Sequence, residues 1–299
     1  VNIQFVVNPI SGDIDKEEFT RIATKRCELA GHAVNIFETT GENDEKKIQS
    51  EVKKNRPDRI LSLGGDGNFI LCCTAVEGKN IPVGLIPMGS ANGLAMELGI
   101  PKNHEEALDF FLDTSEVRHM DVICVNGDKF CAHLGDVGIN AEIVQMYDED
   151  ENRGMLTYAK YLTRALAEAE PFSLKVQTQG ETVFDGNVVM VGLGNCRQYG
   201  TGVYLTKDGN PFDGKFEIVL IYKMDFSTVI KKGLTIFNRE IAEDQNTEVL
   251  KLSDAKLSLD KPRELQLDGE PQGEFKEISI QLLKAHFPVV ISSENSFTS

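Results

Sequence analysis

Along the first part of the chain, short continuous apolar runs alternate with segments whose apolar residues recur every three or four positions. Ile3 to Val7 reads as a strand that runs into the turn Asn8-Pro9-Ile10-Ser11-Gly12. Between Asp15 and Ala30, the residues Phe19, Ile22, Ala23, Cys27 and Ala30 predict a helix, and Gly31 stands where a left-handed residue would close it. Ala33 to Phe37 is the next strand, a polar helix runs from about Asn43 to Asn55, and Arg59 to Leu63 is a third strand. Gly64-Gly65-Asp66-Gly67 then opens an apolar helix through Leu71 and Ala75, and Pro82 to Pro87 makes a fourth strand. Strands and helices in this alternation imply a parallel sheet covered on both faces, with ligands beyond the carboxyl ends of its strands.

After about Val122 the pattern changes to many short apolar stretches separated by turn residues: Asp128 to Leu134, Leu174 to Thr178, Asn187 to Leu193, Phe216 to Tyr222, Ala255 to Leu259, Glu264 to Leu267 and Glu277 to Leu282. This predicts antiparallel β structure, interrupted by helices over Leu156 to Ala169 and Ser227 to Arg239. Asp148-Glu149-Asp150-Glu151 reads as a solvated loop. The expected organisation is an α/β nucleotide-binding domain over 1–122 and a β-rich domain over 123–284 that completes a cleft, with a final strand at about 285–299 returning to the first domain.

Composition narrows the choice of partners. The net charge of −16, without a visible basic patch, opposes binding to nucleic acid or steady attachment to an anionic membrane. The strong run Phe216 to Tyr222 is far below the roughly 18 residues of a spanning helix, so at most transient peripheral membrane contact is expected. Six cysteines without a Cys-x-x-Cys pair, and no leader-like opening, point to a reducing, cytoplasmic setting. The five histidines lack metal-ligand spacing, and Cys72 and Cys73 read as small core residues. Tyr158, Tyr161, Leu162 and Ala165 form a helix packing face that could border a lipid cleft.

The chemistry gathers in loops. The turn Asn8 to Gly12 lies between strand and helix, where backbone N–H groups can face an anion, although an ordinary turn would use the same residues. Gly64-Gly65-Asp66-Gly67 is more specific: its glycines let a phosphate approach the backbone while one carboxylate faces the site. Pro87-Met88-Gly89-Ser90-Ala91-Asn92-Gly93 follows the fourth strand and offers a hydroxyl and an amide. Three such loops at one sheet edge point to a nucleotide.

With these loops in place, the chain resembles the catalytic domain of diacylglycerol kinases and the related bacterial lipid kinases, which share the GGDG loop with NAD kinases. The likeness runs through N-P-x-S-G at Asn8, GGDG at Gly64, Ile86 to Pro101 and Asp121-Val122. It continues through His133 to Asn140, Gly194-Asn195 to Gly202, Asp213-Gly214-Lys215-Phe216-Glu217 and Asp268-Gly269-Glu270. It implies a Rossmann-like, NAD-kinase-like parallel-sheet domain followed by a β-sandwich domain. It also implies a kinase that uses ATP and Mg²⁺ to phosphorylate a lipid hydroxyl, with a diacylglycerol-like acceptor, at or near the inner face of the membrane. The acceptor and self-association into a homo-oligomer stay open.

Position by position, the resemblance implies ATP contacts at Asn8, Pro9, Ser11, Gly12, Thr39, Gly65, Asp66, Gly67, Asn68, Gly89 and Ser90. Asp66 and Asp121 would act around Mg²⁺ and phosphates, and Glu270 would be the general base. Asp213, helped by backbone carbonyls near Asn210 and Lys215, matches a structural metal site. By themselves Asp213-Gly214 and Asp268-Gly269 read as β-turns. The chain departs from the family at Asn68, where Thr is usual and Phe69-Ile70-Leu71 follows, and at Gly93, where an active-site Asp is usual. A weakened nucleotide- or lipid-binding homologue and a soluble-substrate kinase acting on NAD are the alternatives.

Overall fold

The structure, a computed structural model, describes residues 1–12, 15–89, 92–113, 116–138, 161–162, 164–166, 168–199, 204–223, 246–292 and 297. It divides into two compact units, Val1–Met120 with Lys284–Ser299, and Asp121–Leu283. The first contains β1 (Asn2–Val7), α1 (Lys16–Leu29), β2 (Ala33–Glu38), α2 (Asp44–Asn55), β3 (Arg59–Gly64), α3 (Asp66–Ala75), β4 (Val83–Pro87), α4 (Gly93–Glu97) and α5 (His104–Asp113). Strand β5 (Val117–Val125) leads into the second unit. There follow β6 (Lys129–Cys131), β7 (Leu134–Val137), β8 (Phe172–Thr178), β9 (Glu181–Val188), β10 (Met190–Gly194), β11 (Phe216–Ile221), β12 (Thr247–Leu252), β13 (Asp254–Leu267) and β14 (Glu270–Val290).

In the first unit the strand order is β2-β1-β3-β4-β14, and every neighbouring pair is parallel. Phe5 on β1 lies between Ile36 on β2 and Leu61 on β3. Phe5, Leu61 and Ile86 have no exposed surface, which explains why β1, β3 and β4 read as continuous apolar runs. Helix α1 starts where Asp15 accepts from the N–H of Glu18 and ends before Gly31 at φ 82°. Chain order reverses between β1 and β3, since β1 leads outward to β2 and β3 leads the other way to β4. That is the switch point at which open α/β sheets bind ligands.

The second unit is antiparallel, in the order β12-β11-β10-β7-β13-β14, with β8 joining β13 to β9. Strand β11 is buried along its whole length because both its faces are covered. Phe216, Ile218 and Leu220 enter one apolar cluster with Val191, Leu193 and Leu265; Val219 and Ile221 enter another with Leu162, Leu166 and Leu205. Glu217 is the one charged residue of this strand and is 1% exposed.

Several boundaries differ from the sequence reading. Helix α5 was not foreseen, although Asn103 accepts from the N–H groups of Glu105 and Glu106 and Ala107, Leu108 and Phe111 face inward. The run Asp128 to Leu134 is divided between β6 and β7. The two runs Ala255 to Leu259 and Glu264 to Leu267 form one strand, β13, whose register shifts between Ser258 and Arg263, around Pro262, which has no N–H to pair. Of the helix expected over 156–169, residues 161, 162, 164–166 and 168 are helical. The rest of it, the helix expected over 227–239 and the acidic stretch 148–151 lie outside the described residues.

The ring of Phe111 on α5 lies over Gly84 on β4 so closely that a Cβ there would meet its carbons at 2.6 Å. Gly84→Ala should therefore lower stability by about 1–3 kcal/mol through overpacking. The double variant Gly84→Ala with Phe111→Leu should recover part of that loss, as measured by urea unfolding of all variants.

Candidate active site

The carboxyl ends of the first-unit strands remain tightly tied to one another. Asn8 N–H donates to Leu63 O at 3.0 Å, Thr39 N–H to Val7 O at 2.9 Å, and Met88 N–H to Gly64 O at 2.8 Å. The loops that follow approach at glycine backbone. Gly12 has φ 60°, and a Cβ on it would lie 2.5 Å from Met88 O; a Cβ on Gly89 would lie 2.5 Å from Gly65 Cα. Only glycine permits that spacing. The loops after β1, β3 and β4 are thereby brought to one edge, where the first turns of α1 and α3 begin.

Side chains shape this edge more than they fill it. Asn8 Oδ1 accepts from Ile10 N–H at 3.2 Å, Ser11 Oγ donates to Asn8 O at 3.3 Å, and the buried Lys16 ammonium donates to Ser11 O. Asn92, in the left-handed region at φ 52°, clamps Gly89 by accepting from its N–H at 2.9 Å and donating to its carbonyl at 2.6 Å. Asp66, in the first turn of α3, accepts from Leu94 N–H at 3.2 Å, linking the GGDG loop to the start of α4. Thr39 is buried beside the end of β1. Asn68 turns inward, its Nδ2 donating to Ser62 Oγ at 2.8 Å and Val6 O at 3.1 Å, so its side chain fastens α3 to β1 and β3. Ser90 lies outside the described residues.

In the second unit Asp121 and the segment Asn210–Lys215 form one constellation. Asp121 is 3% exposed; its N–H donates to Pro211 O at 2.7 Å and its Oδ2 accepts from Gly214 N–H at 2.6 Å. Asn195 Nδ2 donates to Asp121 O at 2.9 Å and to Ala132 O at 2.7 Å. Asp213 Oδ1 accepts from Lys215 N–H at 2.9 Å, and its Oδ2 stands 2.8 Å from the Lys251 ammonium. Lys251 also reaches Glu217 Oε1 at 3.4 Å. Burial pushes the Glu217 carboxyl up to about 7, against the pull of Lys251. Desolvation pulls the Lys251 ammonium down, but Asp213 and Glu217 outweigh it and raise its pKa.

An ammonium, that of Lys251, stands on the Asp213 carboxylate that the resemblance gives to a metal. Both Asp213 oxygens are engaged, and a divalent ion about 5 Å from the ammonium would meet about 7 kcal/mol of repulsion at an effective dielectric of 20. Among the described residues no group of three or more His, Cys, Asp or Glu is arranged to hold a metal ion, and the set implied at Asp213 is of another kind, one carboxylate with backbone carbonyls. The sequence reading has Glu217 only as the end of the Asp213–Glu217 motif and misses Lys251, since nothing local shows that β11 and β12 place the two opposite each other.

Asp268 and Gly269, at φ 50° and 91°, form the two-residue turn between β13 and β14. The Asp268 carboxylate accepts from the N–H groups of Ala132 at 2.8 Å, His133 at 2.8 Å and Leu134 at 3.2 Å. Burial pushes its pKa up, with the Ala132 and His133 N–H groups acting the other way. The segment Ala132–Leu134 is also held by Asn195, whose N–H, like that of Cys196, donates to His133 O at 3.1 Å. Glu270 begins β14 as an exposed residue at a position set by this clamp. Asp66 belongs to the first unit, and Asp121 and Glu270 to the second.

Residues 2–125 match the diacylglycerol kinase catalytic domain, and residues 135–284 match the YegS C-terminal NAD kinase beta sandwich-like domain. The Alcanivorax borkumensis protein named "Probable lipid kinase YegS-like" is 30% identical over 251 residues, 81% of each chain. The "Diacylglycerol kinase" of Bacillus subtilis is 26% identical over 301 residues, 98% of this chain and 97% of its own. A crystal structure of a diacylglycerol kinase from Bacillus anthracis superposes with a TM-score of 0.73 at 20% identity, covering 98% of each chain. The NAD kinase of Archaeoglobus fulgidus in complex with ATP superposes with a TM-score of 0.54 at 17% identity, covering 99% of this chain and 94% of its own. A parallel α/β unit followed by an antiparallel, sandwich-like unit is thus the fold class of diacylglycerol-kinase-like proteins and NAD kinases. Within that class, this chain belongs to the diacylglycerol kinase and YegS-like family of lipid kinases.

Two substitutions test the geometry. Gly89→Ala should force the loops after β3 and β4 apart and lower stability by about 1–3 kcal/mol, read by denaturant unfolding. Asp268→Ala should leave the N–H groups of Ala132 to Leu134 without their acceptor, at a cost of about 2–4 kcal/mol. An unchanged unfolding midpoint for Asp268→Ala would refute the clamp.

Proposed function

We propose that this protein transfers the γ-phosphoryl group of ATP to the hydroxyl of a lipid alcohol, with a diacylglycerol-like acceptor. The observation that carries the reading is the convergence of Gly12, Gly65 and Gly89 at the switch point of the parallel sheet, in a chain of a lipid kinase family. A cradle lined by backbone suits phosphate, since N–H groups and helix N-termini supply positive potential without side-chain bulk. Asn8, Pro9, Ser11, Gly12 and Thr39 border it on one side, and Gly65 to Asn68 and Gly89 on the other; Ser90, the next residue in the chain, is assigned to ATP by the resemblance alone. For Asn68 the backbone N–H is the contributing group.

Asp66 is the carboxylate in this cradle, and it would hold Mg²⁺ or its water shell. The ion, when bound with ATP, neutralises phosphate charge. Glu270 takes the proton from the acceptor hydroxyl as that oxygen bonds to the γ-phosphorus and the bond from phosphorus to the β,γ-bridging oxygen breaks, releasing ADP. Its exposure at the start of β14 and its firm anchoring by Asp268 support this assignment. Asp121, which the resemblance assigns to the network around Mg²⁺ and phosphates, is buried with Oδ2 on the Gly214 N–H, and we give it a positioning role on that loop. A lipid acceptor would be engaged by transient contact at a membrane surface; no described helix is long and apolar enough to cross a membrane.

The test is ATP-dependent phosphate transfer to a panel of diacylglycerol, sphingosine, ceramide, phosphatidylglycerol and NAD. Transfer to diacylglycerol is expected, and transfer to NAD alone would replace the lipid reading. Glu270→Gln should lower turnover by roughly 10²–10⁴-fold with ATP affinity nearly intact. Asp66→Asn should weaken Mg-ATP binding as well as rate. ATP binding without transfer to any acceptor would make this a binding homologue, in keeping with the glycine at position 93.

A further inference from the structure

We propose that the Lys251 ammonium is the resident cation of the Asp208–Glu217 segment, so that the second unit is held there by an internal charge and needs no divalent metal. Three oxygens surround Nζ: Asp213 Oδ2 at 2.8 Å, Glu217 Oε1 at 3.4 Å and the Asp208 carbonyl at 3.5 Å. They come from both ends of the loop and from the strand after it. Their grouping around one centre is what a cation-bound loop requires, and one of them, Asp213 Oδ2, belongs to the carboxylate that the resemblance gives to a metal.

The register of the sheet sets the ammonium in place. Glu217 on β11 pairs directly with Lys251 on β12, and Phe216 pairs with Leu252. Leu250, the neighbour of Lys251, packs against the apolar cluster, so β12 has one alignment in which Lys251 reaches the loop. The loop is already closely seated: a Cβ on Gly209 would meet Cys196 O at 2.3 Å, and Gly214 N–H is held by Asp121. Within that frame Glu217 is 1% exposed, and a buried carboxylate calls for a nearby positive charge. Lys251 answers Glu217 and Asp213 together. A Mg²⁺ ion taking Asp213 Oδ2 would have to displace the ammonium from it.

The inference is independent of the phosphoryl-transfer reading and is tested on the full chain without nucleotide. The wild-type melting temperature should be the same in excess EDTA and in 5–10 mM Mg²⁺, to within about 1 °C. Lys251→Met should melt lower by about 5 °C. It should also acquire a site for Mn²⁺, followed by the loss of the free-ion electron paramagnetic resonance signal, and Mn²⁺ should restore much of its stability. Adding Asp213→Asn should abolish that site. Lys251→Arg should behave like wild type, with no metal dependence. If Lys251→Met fails to fold, the wild-type and Lys251→Arg measurements decide. A wild-type chain that loses stability in EDTA and regains it with Mg²⁺ overturns the proposal, as does a folded Lys251→Met chain that binds no more Mn²⁺ than wild type.

Discussion

The glycine-lined edge of the parallel sheet rests on a steric constraint: the loops after β1, β3 and β4 touch through backbone atoms, at Gly12 against Met88 and at Gly89 against Gly65. A methyl group at any of these contacts would separate the loops, and with them the first turns of α1 and α3. The constraint explains the polar residues around it. Asn92 closes on Gly89 from both sides, Asp66 ties α3 to α4, and Asn68 is drawn inward to Ser62 and Val6 to hold the start of α3 at the right depth.

The second unit solves a different problem with buried polar clamps. Asn195 and Asp268 grip the segment Ala132–Leu134 from two sides through backbone hydrogen bonds, and Asp121 holds the loop at Gly214. Each clamp has carboxylate or carboxamide groups facing main-chain partners, which lets β strands end and turn where the next side chain must be placed. Glu270 inherits its position from such a turn.

The contrast between carboxylates is instructive. Asp121 and Asp268 are buried and satisfied by N–H donors, Glu217 is buried beside an ammonium, and Glu270 is exposed at a strand start. The first three serve architecture in this fold. The fourth stays at the surface, at a turn fixed by Asp268.

Much of the fold was legible in the chain because its signals are local. The alternation of apolar runs and helical spacing, the glycine clusters after strands and the Asp-Gly turns depend on residues near one another in sequence, and they led to an α/β unit followed by a β-sandwich-like unit. Other features depend on residues that share no local pattern. Asp268 meets Ala132 across 136 positions and Asp121 meets Gly214 across 93. Neither pairing leaves a periodicity or a motif to read. The union of two runs into β13 followed from strand pairing, and the inward turn of Asn68 from the close approach of β1 and β3. The sequence alone thus determined which segments are strands, helices and glycine turns. Tertiary structure decided which charges meet: the Asp213-Gly214 motif resembles a metal site, and only the register of β11 against β12 puts the Lys251 ammonium on it.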